Sequence, residues 1–196
     1  MLFYRAVCFV LRIILFLRGV RFYGRKNVPA DGGMIIAANH MSGWDVVIVA
    51  CALRRPVYFM AKEEFFSRPF IKTLFKWLRA FPVKRGAPDM KAIKRALELL
   101  RAGEVVGIFP EGHRGKAGEE QEPMSGVVFL LERAGVPLVP ARVYGTEHFA
   151  SPRARPGIII GAPIRLEDLT PVAVKKDRRA LQAREVMTRI YRLEAG

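Results

Sequence analysis

A chain of 196 residues can bury one substantial core but is short for two ordinary domains, which argues for a single domain with an appendage. Apolar residues make up 51% and charged residues 26%, a balance that excludes a disordered or low-complexity chain and leaves apolar surface over for lipid. The formal charge of +15 draws anionic partners, while Cys8 and Cys51 sit in apolar stretches with no CxxC pair, against a disulfide framework, a zinc site or a dithiol motif.

The chain opens on an apolar run from Leu2 to Leu17, interrupted by Arg5 and Arg12 and closed by Arg18 and Arg21. No uncharged stretch reaches the roughly 18 to 20 residues of a bilayer span. Arg12 also splits any signal-peptide core, and no small-residue cleavage site follows. Arg5 and Arg12 nearly eclipse on a helix, leaving Phe3, Val10, Ile13, Ile14 and Leu17 as a broad opposite face. That pattern predicts a helix lying in a membrane interface with its arginines reaching headgroups. The alternative is a helix packed on its own domain. Residues 1–20 are therefore set apart as an amphipathic, membrane-associating helix from the main domain, 21–196.

Beyond residue 20, short β-branched runs alternate with amphipathic stretches. In chain order the pattern predicts a strand at Val20 to Tyr23, a strand at Met34 to Ala38, a helix over Trp44 to Leu53 and a strand at Val57 to Ala61. A helix over Pro69 to Leu78 and a strand at Phe81 to Val83 follow. Met90, Ile93, Leu97 and Leu100 then recur at helical spacing, with Asp89 as N-cap and Gly103 as stop. The remainder reads as a strand at Val105 to Phe109, a helix from Ser125 to Ala134 stopped by Gly135, strands at Leu138 to Val143 and Gly157 to Ile160, and a helix from Val172 to Leu193. Such alternation implies an α/β fold: a largely parallel central sheet covered by helices. The irregular stretch Gly112 to Pro123 follows a strand, where a substrate loop belongs.

Ligands of open α/β sheets bind at the carboxyl ends of the strands. Four predicted strand ends carry polar groups: Asn39-His40-Met41-Ser42-Gly43-Trp44-Asp45, then Lys62, then Lys84-Arg85, then Pro110-Glu111-Gly112-His113-Arg114. His40 and Asp45 are five residues apart, about 140° on a continuous helix, so His40 must precede the helix. Ser42 is then a natural N-cap with Asp45 at N3. A carboxylate there can hold one imidazole nitrogen and leave the other to accept a proton from a substrate hydroxyl. Alternatively Asp45 only completes a capping box. A short arm with one preferred direction is expected to serve both roles only in part.

Other chemistries lack their signatures. No G-x-S-x-G elbow surrounds Ser42, Ser67, Ser125 or Ser151, and His113 stands where a Walker A loop needs lysine after Gly107 to Gly112. His40, His113 and His148 lack metal-ligand spacing, so no metal is expected, and His148 reads as a surface residue. What remains is direct, base-assisted attack by a hydroxyl, with Lys62, Arg85 and Arg114 available for a phosphate. No nucleic-acid motif appears and the aromatics lie among apolar residues, so no nucleic-acid partner is expected.

These residues resemble the glycerolipid acyltransferases of the 1-acyl-sn-glycerol-3-phosphate acyltransferase family. The family's N-H-x4-D signature matches Asn39, His40 and Asp45, and its F-P-V-x-R matches Phe81, Pro82, Val83 and Arg85, with Arg79 where a glycine is frequent. Its F-P-E-G-T-R matches Phe109, Pro110, Glu111, Gly112 and Arg114, with His113 in place of threonine. A fourth signature, an apolar strand entered through V-P, matches Val136-Pro137-Leu138-Val139-Pro140, and the similarity runs from about residue 20 to residue 165.

The resemblance implies that 21–196 is an acyltransferase domain, that His40 is the general base with Asp45 its partner, and that no covalent enzyme intermediate forms. It places acceptor binding on Arg85, Glu111, Gly112 and Arg114, with Lys62 at the acceptor phosphate. The expected reaction acylates lysophosphatidic acid to phosphatidic acid, from acyl-CoA or acyl carrier protein as co-substrate and with no cofactor. Glycerol 3-phosphate or another lysophospholipid is the alternative acceptor, and a non-catalytic peripheral lipid-binding protein the alternative class. The expected location is an anionic membrane surface, peripheral or monotopic, at the cytoplasmic face.

Overall fold

The computed structural model describes residues 2–84, 89–115, 122–171 and 177–195. The first half runs α1 (Leu2–Leu17), β1 (Arg21–Tyr23), β2 (Met34–Ala38), α2 (Gly43–Ala52), β3 (Val57–Lys62), α3 (Pro69–Trp77) and β4 (Ala80–Val83). The second half runs α4 (Met90–Arg101), β5 (Val105–Ile108), α5 (Gly126–Ala134), β6 (Leu138–Tyr144), β7 (Gly157–Ile160) and α6 (Arg178–Tyr191). Each predicted strand is present within a residue or two of its expected ends. The last helix is described over Arg178–Tyr191, and 172–176, where the sequence pattern places its start, lie outside the described residues.

The strands form one sheet in the order β1-β7-β6-β2-β5-β3-β4. Every neighbouring pair is parallel except β6 and β7. The expected parallel sheet therefore carries a reversed edge: β7 returns directly alongside β6, and β1 follows its direction. The five residues of β2 are all buried because helices cover both faces of this central strand. Met34, Ile36 and Ala38 face the layer of α1 and α2, while Ile35 and Ala37 face α4, α5 and α6. Each large side chain so buried contributes about 1.5–3 kcal/mol.

Helix α1 forms as predicted, with one face packed on its own domain and another exposed. Tyr4, Cys8 and Leu15 are buried in the core shared with α2, and the Tyr4 hydroxyl accepts the Val57 N–H at 3.2 Å. Phe3, Val10, Ile13, Ile14 and Leu17 remain exposed, Leu17 to 77%. The arginines correct the sequence reading, because Arg12 does not reach outward. Its Nε donates to the Cys51 carbonyl at 2.9 Å and its Nη2 to that of Leu53 at 2.6 Å, while Arg25 Nε donates to Ala52 at 2.8 Å. These are carbonyls at the end of α2 that no further turn can satisfy, and cations are favoured there. Arg18 likewise binds the carbonyls of Phe149 and Ser151.

Candidate active site

Strand β2 lies between β5 and β6, and the chain leaves it toward β3 on one side before later crossing over it from β5 to β6. The carboxyl end of β2 is therefore a topological switch point, where an open sheet parts to make a crevice. Asn39 closes the sheet just below the crevice. Its Nδ2 donates to the Val143 carbonyl at 2.8 Å and its Oδ1 accepts the Val143 N–H at 2.7 Å, extending the β2–β6 pairing through a side chain.

His40 follows, 8% exposed, in the turn before α2. Ser42 adopts extended backbone (φ −145°, ψ 158°) and caps the helix, and Asp45 at N3 completes the capping box. The fully buried Asp45 carboxylate accepts from His40 Nδ1 at 2.9 Å, from the Met41 N–H at 2.6 Å and from the Ser42 N–H at 2.7 Å, all on Oδ2. Its Oδ1 accepts the Thr146 hydroxyl at 2.5 Å. The capping and imidazole-holding roles thus coexist on one oxygen, where the sequence suggested competition. The tight turn makes this possible, because it brings the imidazole to the same side of the carboxylate as the two amides. A carboxylate oxygen only accepts, so Nδ1 carries the ring proton and Nε2 presents its lone pair to a substrate.

The loop after β5 encloses the same histidine. Phe109 stacks on the imidazole with ring centroids 4.1 Å apart and planes 21° from parallel, and Phe59 lies 5.9 Å behind Phe109. Gly107 makes room for this stack, since a Cβ there would come within 2.3 Å of the Phe59 ring. Glu111 Oε2 accepts the His40 N–H at 2.8 Å, and Gly115 donates its N–H to the His40 carbonyl at 2.9 Å. Both backbone polar groups of His40 are therefore held by one loop. Glu111, expected at the acceptor, is instead buried, with its Oε1 accepting the Tyr191 hydroxyl of α6 at 2.6 Å. Gly112 adopts φ +74°, the left-handed region that favours glycine, and the chain turns there toward solvent.

The expected cations line up differently. Arg114 is exposed, and its Nη2 would lie 3.7 Å from a Cβ built on Gly43, so it stands over the first turn of α2 beside the His40 turn. Lys62 ends β3 with its side chain 44% exposed and 2.9 Å from Glu64. Arg85 lies outside the described residues. His113 and His148 are both exposed.

Two site residues escaped the sequence reading. Thr146 follows β6, so the strand-end rule that singled out the other loops would have found it had it been carried one strand further. Tyr191 arrives by the packing of α6, and nothing local in the sequence marks it. Among the described residues no group of three His, Cys, Asp or Glu side chains is placed to hold a metal ion.

Comparison with known proteins bears on this geometry. The family model described as Acyltransferase matches residues 19–144. The 1-acyl-sn-glycerol-3-phosphate acyltransferase of Bacillus subtilis (strain 168) is 36% identical over 97% of this chain and 96% of its own. The protein of the same name from Borreliella burgdorferi is 28% identical over 71% of this chain and 57% of its own. Among solved structures, the 1-acyl-sn-glycerophosphate (LPA) acyltransferase PlsC from Thermotoga maritima superposes with a TM-score of 0.71 at 19% identity, covering 98% of this chain and 81% of that one. That structure shares the fold. With a family match that takes in β2, the His40 turn, the Glu111 loop and β6, the chain belongs to the acyltransferase family.

Proposed function

We propose that the protein transfers a fatty acyl group from a thioester to the free hydroxyl of lysophosphatidic acid, giving phosphatidic acid. The names of relatives that match nearly the whole chain support the acceptor. The observation that carries the chemistry is His40, oriented by Asp45 through Nδ1 and clamped at both backbone groups by the Glu111 loop. Nε2 takes the proton of the acceptor hydroxyl as its oxygen attacks the thioester carbonyl carbon. When the tetrahedral intermediate collapses, the carbon–sulfur bond breaks and the thiolate recovers that proton from the imidazolium. Asp45 opposes the imidazolium charge while it exists.

Arg114, beside the His40 turn, binds the acceptor phosphate, with Lys62 and Arg85 completing the cationic side. The donor is acyl-CoA or acyl carrier protein, both thioesters whose phosphates suit a basic surface. Helix α1 lays its exposed apolar face on an anionic bilayer with the domain on the cytoplasmic face, a side consistent with two free cysteines. Among the described residues no helix is long and apolar enough to cross a membrane.

The test incubates the protein with lysophosphatidic acid, glycerol 3-phosphate and other lysophospholipids, each with both thioester donors, and identifies products by mass. Phosphatidic acid is expected as the main product, and Arg114→Ala is expected to raise the acceptor KM far more than the donor KM. Preferential acylation of glycerol 3-phosphate, or equal effects on both KM values, would overturn the corresponding assignment.

A further inference from the structure

Helix α3 has an outer face that its packing does not use. Phe70, Leu74 and Trp77 recur at i, i+4 and i+7 and form one stripe, exposed to 90%, 44% and 54%. The helix is held from its other side by Phe75, whose ring lies 5.4 Å from that of Phe65 and 5.5 Å from that of Phe66. Nothing in that packing requires large apolar groups on the outside. The stripe also does not stand alone. Phe3 of α1 and Trp77 of α3 bring their ring centroids within 4.6 Å, although both residues remain exposed. Their contact joins the stripe to the apolar face of α1 as one continuous surface, contributed by segments that are far apart in sequence. A contiguous exposed patch of this kind marks an interaction surface.

Charge selects the partner. Lys72 and Lys76, on the side of α3 away from the stripe, line a cavity of about 740 Å³ together with Arg79 and Arg95. The carboxylates on the same cavity, Glu63 and Glu64, lie within ion-pair distance of Lys84 and Lys62. Arg79 adopts φ +63° with its guanidinium over the Tyr58 ring, and its Nη1 donates to the Tyr58 hydroxyl at 2.8 Å. An apolar stripe on one side of a helix, with lysines on long stems on the other, is the arrangement in which acyl chains meet the stripe while the ammonium groups reach headgroup phosphates. We propose that α3 is a second bilayer contact, so that α1 and α3 together dock the domain on an anionic membrane at two points. This inference rests on the membrane attachment proposed for α1 and is independent of the acyl-transfer reading. One contact line would leave the domain free to roll about the axis of α1. A second line fixes which side of the sheet faces the bilayer.

The chain has two tryptophans, Trp44 and Trp77, so Trp44→Phe leaves Trp77 as sole reporter in the full-length protein. With vesicles of phosphatidylcholine and phosphatidylglycerol carrying brominated acyl chains, Trp77 emission is expected to shift to the blue and to be quenched. Phosphatidylcholine alone should give a much weaker effect. Trp44 stacks on Phe149, so a second measurement spares it: Phe70→Ser with Leu74→Ser in the otherwise unaltered chain should weaken vesicle co-sedimentation about tenfold or more. Lys72→Gln with Lys76→Gln should weaken it by roughly fivefold per charge at low salt and less at high salt. Co-sedimentation with Trp77 unquenched would leave α1 as the contact and overturn the role of α3. A self-association abolished by Phe70→Ser, with vesicle binding unchanged, would overturn it equally by giving the stripe to a second copy of the chain. Product formation in the acyl-transfer assay is a separate readout and does not decide this point.

Discussion

The hydroxyl of Thr146 donates to Asp45 Oδ1 at 2.5 Å across 101 residues of sequence, so the turn after β6 fixes the carboxylate that orients His40 in the turn after β2. With Thr146 on Oδ1 and His40 on Oδ2, Asp45 is held at both ends, and its partners determine what each substitution does.

The first prediction concerns Asp45→Asn. The Met41 and Ser42 amides can only donate, so the asparagine oxygen must take the place of Oδ2, and its NH2 must face Thr146, whose hydroxyl turns to accept. The imidazole then keeps its tautomer and loses only the opposing charge. Turnover should fall about tenfold, the difference between a charged and a neutral hydrogen bond, against roughly 10²- to 10⁴-fold for His40→Ala. Thr146→Val, which leaves Oδ1 buried without its donor, should cost about 1–3 kcal/mol of stability. Melting curves and single-turnover rates check the series. An Asp45→Asn variant as inactive as His40→Ala would sink the tautomer argument.

For Glu111, the expected effect is on turnover and not on acceptor affinity. Glu111→Gln can still accept the His40 N–H and can donate to Tyr191, so it should behave much like the unaltered protein. Glu111→Ala strands a buried N–H, costs about 1–3 kcal/mol, and should lower kcat while the acceptor KM stays within about a factor of two. A large rise in acceptor KM at unchanged kcat would instead return Glu111 to the substrate.

Gly112→Ala separates two kinds of crowding. The added Cβ would lie 2.5 Å from Met124 Sδ, near the far end of a flexible side chain that can swing away. The φ of +74° cannot be relieved in that way and costs roughly 1–2 kcal/mol. Thermal melts should therefore show Gly112→Ala destabilised, and Met124→Ala should rescue it only partly. Full rescue would assign the whole effect to the clash.

Arg12→Gln distinguishes a helix cap from a headgroup contact. Loss of the charge-assisted bonds to Cys51 and Leu53 should lower stability by about 1.5–3 kcal/mol. Vesicle binding by the folded fraction should scarcely change. The reverse pattern, an unchanged Tm with weakened binding, would restore the reading made from the sequence.

Legibility from sequence followed the range of the interaction. The His40 turn was readable because Ser42 and Asp45 act within one helical turn, and the strands were readable because β-branched runs alternate with helical spacing. The role of Arg12 was not. Angular position on a helix shows which way a side chain leaves, but not that the end of α2 stands there with carbonyls to satisfy. Phe70, Leu74 and Trp77 showed the opposite difficulty, since an apolar stripe on a short helix reads as core until the packing shows it outside. Thr146, Tyr191 and the reversed β7 depend on tertiary placement, which no local pattern encodes.

Helix α2 has a further consequence. Its amino end holds His40 and its carboxyl end is gripped by Arg12 and Arg25, so ten residues of helix, about 15 Å, separate the imidazole from the grip of α1. Both ends are fastened and the shaft between them is a hydrogen-bonded rod. The length of α2 is thus a built-in spacer that fixes how far the imidazole stands from α1.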